Sequence, residues 1–160
     1  MNIMTYSAIH KRRSSRTTPL KGLILSLLLL ASTAGAAEPL APLSAVPVVD
    51  SKLVSPGVYR EASLFAARGN APLDVALKIA GKFEGATQHI IQVNEGSESP
   101  SASRITILRD GLLDDSVRGE RWDIALERTA EDGWNIKEVR RSWRCWRGEQ
   151  TNRFASKLCP

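Results

Sequence analysis

Residues 121–127 read Arg-Trp-Asp-Ile-Ala-Leu-Glu. Trp122, Ile124 and Leu126 alternate with Arg121, Asp123, Ala125 and Glu127. Successive side chains on an extended chain point to opposite faces, so this stretch predicts a half-buried antiparallel strand over about 119–128. Glu131-Asp132-Gly133 follows and predicts a hairpin turn. The next run, Trp134 to Trp146, breaks its own parity. Trp134 and Ile136 share one face, whereas Val139, Trp143 and Cys145 share the other. One extra residue near Lys137–Glu138, a β-bulge, restores a single inward face.

Upstream, Ile105 and Ile107 mark a strand near 103–109, and His89, Ile91 and Val93 define an apolar face of a strand near 86–95. Gly96 to Ser103 is a Ser, Glu, Gly and Pro cluster and reads as a loop. Asp110-Gly111 and Asp114-Asp115-Ser116 are turn signals. Before these strands, Leu73, Ala76, Leu77 and Ala80 recur at helical spacing, widened by Val75 and Ile79. They predict the main helix over about 72–83, with Asn70 as its N-cap, Pro72 near its first turn and Gly81 and Gly85 at its end. A short helix within 58–69, ended by Gly69, is also compatible with the residues there. The expected fold is α+β: one main helix packed on a four-stranded antiparallel sheet, closed by a C-terminal disulfide.

The N-terminus reads as an export signal. Residues 1–21 are polar and basic, Gly22–Leu30 is apolar, and small residues follow to Ala37. That order is a secretory signal peptide, with Ala34-Gly35-Ala36 as the cleavage pattern. Lys21 and Glu38 leave 16 uncharged residues between them, short of the roughly 20 that a spanning helix needs. The Arg12-Arg13 pair has no twin-arginine context, which favours the ordinary secretory route. The expected organisation is a signal peptide over 1–36, a Pro-rich flexible leader over 37–57, and a single α+β domain over 58–160. No transmembrane segment remains after cleavage, and the location is periplasmic or secreted.

Charge follows the same division. The chain has 22 Lys+Arg and 17 Asp+Glu, a formal net charge of +5. Five basic residues and no acidic ones fall within 1–36, so the remainder is neutral, and the basic total is not a nucleic-acid signature. Two cysteines exclude a cysteine-only zinc site and an iron–sulfur cluster. Two histidines, one of them His10, do not make a multi-histidine metal centre. No cofactor or metal is expected. In an exported chain the pair Cys145 and Cys159 favours a disulfide over a redox pair, which is usually spaced two residues apart.

Four features bear on chemistry. Asp114 and Asp115 are a carboxylate pair, suited to calcium or acid–base work, but with no third acidic ligand nearby. The sequence favours a structural role, an ion pair with Arg141 or Arg144 across the sheet. The C-terminal 25 residues carry seven basic side chains against Glu138 and Glu149, interleaved with Trp143 and Trp146. Arg140, Arg144, Trp146 and Arg147 are therefore the candidate binding face, for an acidic envelope protein or polymer. His89 on an apolar face reads as a packed or edge histidine, with no partner nucleophile at a recognisable spacing. Residues 97–103 contain serines but no nucleophile elbow.

Leu112-Leu113-Asp114-Asp115-Ser116-Val117-Arg118, Arg121-Trp122, Gly133-Trp134, Arg141-Ser142-Trp143-Arg144-Cys145-Trp146-Arg147-Gly148, Phe154 and Leu158-Cys159 together resemble a family of small exported bacterial proteins of unassigned function. In that family an Asp-Asp-Ser-Val turn precedes a last hairpin, and an Arg-aromatic-Arg-Cys segment and a second Cys close the chain. The resemblance covers roughly residues 104–160 and implies no catalytic residue. Members often carry Gly and His after the first Cys, where Gln150 and Thr151 stand here. The expected function is a small non-enzymatic binding module. The alternatives are a ligand-binding or hydrolytic domain with a helix–sheet pocket holding His89 or Asp114 and Asp115, and a purely structural envelope protein.

Overall fold

A computed structural model describes residues 42–96 and 98–160. The expected signal segment 1–36 and residues 37–41 of the expected leader lie outside the described residues. The described chain forms β1 (Lys52–Leu53), α1 (Arg60–Ala67), α2 (Pro72–Ala80), β2 (Thr87–Glu95), β3 (Ala102–Asp110), β4 (Val117–Arg128) and β5 (Trp134–Cys145). The strands make one antiparallel sheet in the order β1-β5-β4-β3-β2.

The β4–β5 hairpin turns at Asp132, whose φ of 60° is a left-handed conformation that a short polar side chain tolerates. At Gly133 an added Cβ would stand 2.5 Å from the Ala67 carbonyl oxygen, so only glycine lets the end of α1 approach this turn. Ala125 faces Glu138 and Leu126 faces Ile136, which leaves Lys137 as the extra residue of a bulge. The bulge sets Trp134, Ile136 and Val139 on one face, as the broken parity predicts. A second irregularity lies in β4. Val117 faces Cys145 and Gly119 faces Arg144, with Arg118 between them.

One face of the sheet packs against the helices. Ile105, Ile107, Trp122, Ile124, Leu126, Trp134, Ile136 and Val139 meet Ala62 and Ala66 of α1 and Val75 and Ala76 of α2. The small alanines bring the helix backbones close to the sheet. Each fully buried Val, Leu or Ile side chain adds about 1.5–3 kcal/mol relative to exposure.

The expected single helix on four strands is corrected to two helices on five strands. Helix α1 has eight residues, too few for a long periodic signal, and Asn70 completes it by donating Nδ2–H to the Phe65 carbonyl at 2.7 Å. The N-cap of α2 is Ala71 instead. Strand β1 has two residues and pairs Lys52 with Arg141 and Leu53 with Arg140. Nothing so short carries an alternation. The face of β2 is corrected as well. Gln88, Ile90, Gln92 and Asn94 share the helix-facing side of the register, while His89, Ile91 and Val93 lie on the opposite side. The helices pack over β3, β4 and β5, and β2 is largely exposed on both faces. Its apolar residues therefore do not report the core.

Beside the apolar core, a buried ionic chain joins the helix layer to the sheet. Arg109 is 2% exposed. Its Nε donates to Gln88 Oε1 at 2.8 Å, its Nη1 to the Ala80 carbonyl at 2.7 Å and to Glu120 Oε1 at 2.9 Å, and its Nη2 to the Gly81 carbonyl at 2.7 Å. Ala80 and Gly81 end α2, where carbonyls lack helical partners and a cation is favoured. The second oxygen of Glu120 receives Nη2–H of Arg141 at 2.5 Å. The Arg141 guanidinium sits 4.4 Å from the Trp122 ring centre and 5.1 Å from that of Trp143.

The far face carries a smaller apolar cluster. Leu108 and Phe154 are fully buried there together with Leu43. Residues 42–57 are tied down at successive points. Val48 bridges Phe154, the Phe154 amide donates to the Pro47 carbonyl at 2.8 Å, and the Val54 amide donates to the Val139 carbonyl at 2.9 Å. Ala155 bridges Trp143, and Cys145 and Cys159 form a disulfide. Inside the closed loop, buried Gln150 donates Nε2–H to the carbonyls of Trp143 and Lys157 at 3.3 and 3.0 Å. The tail thereby holds Phe154 against Leu108.

The Cys145→Ser/Cys159→Ser protein should unfold in urea with about 3 kcal/mol less stability, the value for a loop near 15 residues in the chain-entropy model. An unchanged midpoint and slope would show that packing and hydrogen bonds hold the tail without the disulfide.

Candidate functional site

One row of residues crosses the helix-free face: Thr87 on β2, Asp110 on β3, Gly119 on β4 and Arg144 on β5. Gly119 keeps the middle of this row flat. A Cβ there would stand 2.9 Å from Asp110 Oδ1 and 2.5 Å from the Arg109 carbonyl oxygen. Without it, Asp110 reaches Arg144 Nη1 at 3.4 Å. The neighbouring irregularity in β4 swings Arg118 to the same carboxylate, with Nε 3.3 Å from Oδ1. Bulges commonly re-aim a side chain in this way.

Thr87, Asp110, Arg118 and Arg144 line a cleft of about 360 Å3, together with His89 and, from the N-terminal segment, Pro42, Leu43 and Val46. Two guanidinium groups thus share one carboxylate. Arg144 also donates Nε–H to the Thr151 carbonyl at 2.7 Å. Burial pushes the Arg144 pKa down, Asp110 opposes the shift, and Arg118 adds to it by repulsion. Arginine stays charged at neutral pH even so. The cleft therefore has a surplus positive charge before His89 is counted.

The candidate face of the C-terminal segment is spread over several surroundings. Arg144 is in the cleft. Trp146 flanks it, 44% exposed, with the Arg118 guanidinium 5.2 Å from its ring centre. Arg147 is exposed and its Nη2 donates to the Asp115 carbonyl at 3.5 Å. Arg140 lies further along the sheet, pairing with Glu138 at 2.9 Å and donating to the Ser51 carbonyl at 3.3 Å.

Arg141 takes Glu120 as its carboxylate, and the side chain of Asp114 turns back on its own loop. Asp114 Oδ1 accepts from the Val117 amide at 2.6 Å, the Ser116 amide at 2.9 Å and the Ser116 hydroxyl at 3.1 Å. The turn meets the C-terminal segment through main-chain acceptors. Trp146 Nε1–H donates to the Asp114 carbonyl at 2.9 Å, and the Trp146 amide donates to the Ser116 carbonyl at 3.0 Å. His89 lines the helix-free cleft and not a pocket between helix and sheet.

Sequence reasoning missed Asp110 and Arg118 as site residues, and Arg109 and Glu120 as a buried pair. Asp110 was absorbed into a turn signal, and Arg118 takes its position from an irregularity that parity alone does not place. Among the described residues no group of three His, Cys, Asp or Glu is arranged to hold a metal ion. No helix among them is long and apolar enough to cross a membrane. Comparison with protein families, with curated proteins and with solved structures gives no match.

The amides of Val117 and Ser116 hold the Asp114 carboxyl below its ordinary value of 3.8. Because the folded value is depressed, the turn's contribution is complete above that value and is lost as the pH falls through the folded pKa. An NMR titration of the Asp114 carboxyl should give a midpoint below 3.8, followed by the Val117 amide shift. A midpoint at or above 3.8 would contradict the cap.

Proposed function

We propose that the chain is an exported binding module of the bacterial envelope that captures an acidic group of its partner through the Arg118–Arg144 end of the sheet. The observation that carries this reading is the charge imbalance in the cleft, two arginines on Asp110. Half-exposed Trp146 and exposed Arg147 extend the same end outward. Arg and Trp are the side chains most enriched in binding hot spots, and a positive rim speeds encounter with an acidic partner.

Export is supported by the order of basic, apolar and small residues in the first 36 positions. The Cys145–Cys159 disulfide fits an oxidising compartment. A binding role is favoured over catalysis by the use made of each polar group. Asp110 is held between two arginines, and Asp114 is committed to its turn. Under this reading the disulfide and the buried Gln150 keep the carbonyl of Thr151 where it fixes Arg144.

Fluorescence anisotropy with labelled poly-glutamate is a direct check. The oxidised protein should bind at low salt and release in high salt, where charges are screened over about 3 Å. An Arg118→Gln/Trp146→Ala/Arg147→Gln variant with unchanged circular dichroism should bind roughly tenfold more weakly, as expected for lost rim charge and one aromatic anchor. Equal binding by the variant would remove this end of the sheet as the capture surface.

A further inference from the structure

We infer that the cleft formed by Asp110, Arg118 and Arg144 is a carboxylate-binding site for a ligand with a short branched apolar group. The inference rests on the acid-binding reading above and names the group that is bound.

One donor is in place and unspent. Arg118 Nε is buried without a hydrogen-bond partner among the described residues. It is 3.3 Å from Asp110, but its alignment makes that contact an ion pair and not a hydrogen bond. Stacking on Trp146 holds the guanidinium from one side. Arg144 is fixed by the Thr151 carbonyl and Asp110, so both cations are oriented before a ligand arrives. Preorganised donors lose little conformational freedom on binding.

Charge and shape choose the ligand class. Two arginines and one aspartate leave a surplus of one positive charge, which a monoanion balances. The planar guanidinium fork matches the two oxygens of a carboxylate. Gly119 leaves Asp110 free to take its place in the cleft, since a side chain there would clash with it. Pro42, Leu43 and Val46 add an apolar part to the lining, suited to a branched hydrocarbon. A volume of about 360 Å3 is at the small end of ligand pockets. The carboxylate is carried either by a free small acid or by the C-terminus of a partner chain.

The test is an NMR titration of the full mature, oxidised protein, read at the Arg118 and Arg144 Nε–H and the His89 ring. The probes are isovalerate, its uncharged amide, inorganic phosphate, and a Gly-Gly-Gly-Leu peptide with a free or an amidated C-terminus. Isovalerate or the free-ended peptide should give saturable shifts at all three residues, and the two amides should give none. Tighter binding of the peptide assigns the carboxylate to a chain terminus, and tighter binding of isovalerate assigns it to a free acid. Arg118→Gln should weaken binding about tenfold, and Asp110→Asn should tighten it by about threefold to tenfold, because the competing carboxylate is gone. The opposite signs separate a binding site from a general loss of structure. No saturable shift, equal shifts with the amides, or phosphate binding more tightly than either carboxylate would overturn the inference. Poly-glutamate capture without carboxylate binding in the cleft would overturn the site alone; carboxylate binding without poly-glutamate capture would overturn the macromolecular role alone.

Discussion

The buried guanidinium of Arg109 joins the end of a helix to the middle of a sheet. Its donors face the Ala80 and Gly81 carbonyls, Gln88 and Glu120. At this group α2 meets β3, which carries Arg109, and the two strands that flank it, β2 and β4. Burying one such cation alone is very unfavourable, and a pair recovers that only with good geometry and satisfied hydrogen bonds. Glu120 is correspondingly shared with Arg141, which two tryptophan rings enclose. The chain of charges fixes where α2 stops relative to the sheet more specifically than apolar packing does.

Four arginines of the sheet are divided between two tasks. On the helix side, Arg109 and Arg141 flank Glu120 and are occupied. On the other side, Arg118 and Arg144 flank Asp110, but in a cleft walled by the N-terminal segment. Both motifs are an arginine–carboxylate–arginine bridge. Hydrogen bonding separates them. Every guanidinium nitrogen of Arg109 has an acceptor, and Arg141 donates twice to Glu120, whereas the buried Nε of Arg118 has no acceptor. The first bridge consolidates the fold, and the second has capacity left for a ligand. Their strands are the same, since Arg109 and Asp110 are consecutive and point to opposite faces.

The central hairpin was legible from the sequence because burial and period agreed there. Trp122, Ile124 and Leu126 face the core, and the parity break around Lys137 marks the bulge where it occurs. The cysteines paired as the exported context suggested. Reading failed where period and burial parted. Strand β2 alternates, but the helix layer stops short of it, so His89, Ile91 and Val93 mark the outer side. Strand β1 is too short to alternate, and its pairing with β5 depends on distant residues. The site was only half legible. Arg144 and Trp146 stood out by composition, whereas Asp110 and Arg118 acquire their roles from a neighbouring glycine and a register shift. The adjacent carboxylates Asp114 and Asp115 drew attention by type, but backbone amides nearby satisfy Asp114 more directly than an arginine across the sheet.

The dependence of the fold on the Arg109–Glu120 pair is open to a double-mutant cycle. Arg109→Met, Glu120→Leu and the combined variant would be compared with the parent protein by urea unfolding. Glu120→Leu leaves the buried Arg109 cation without a carboxylate and should cost about 3–5 kcal/mol, whereas Arg109→Met leaves Glu120 its second partner, Arg141, and should cost less. The double variant removes both charges and should be more stable than the sum of the singles by about 2 kcal/mol or more, within the range for residues in direct contact. Additive losses would contradict the account, because they would mean that the two side chains act separately and that Glu120 does not support the contacts of Arg109 with the helix end.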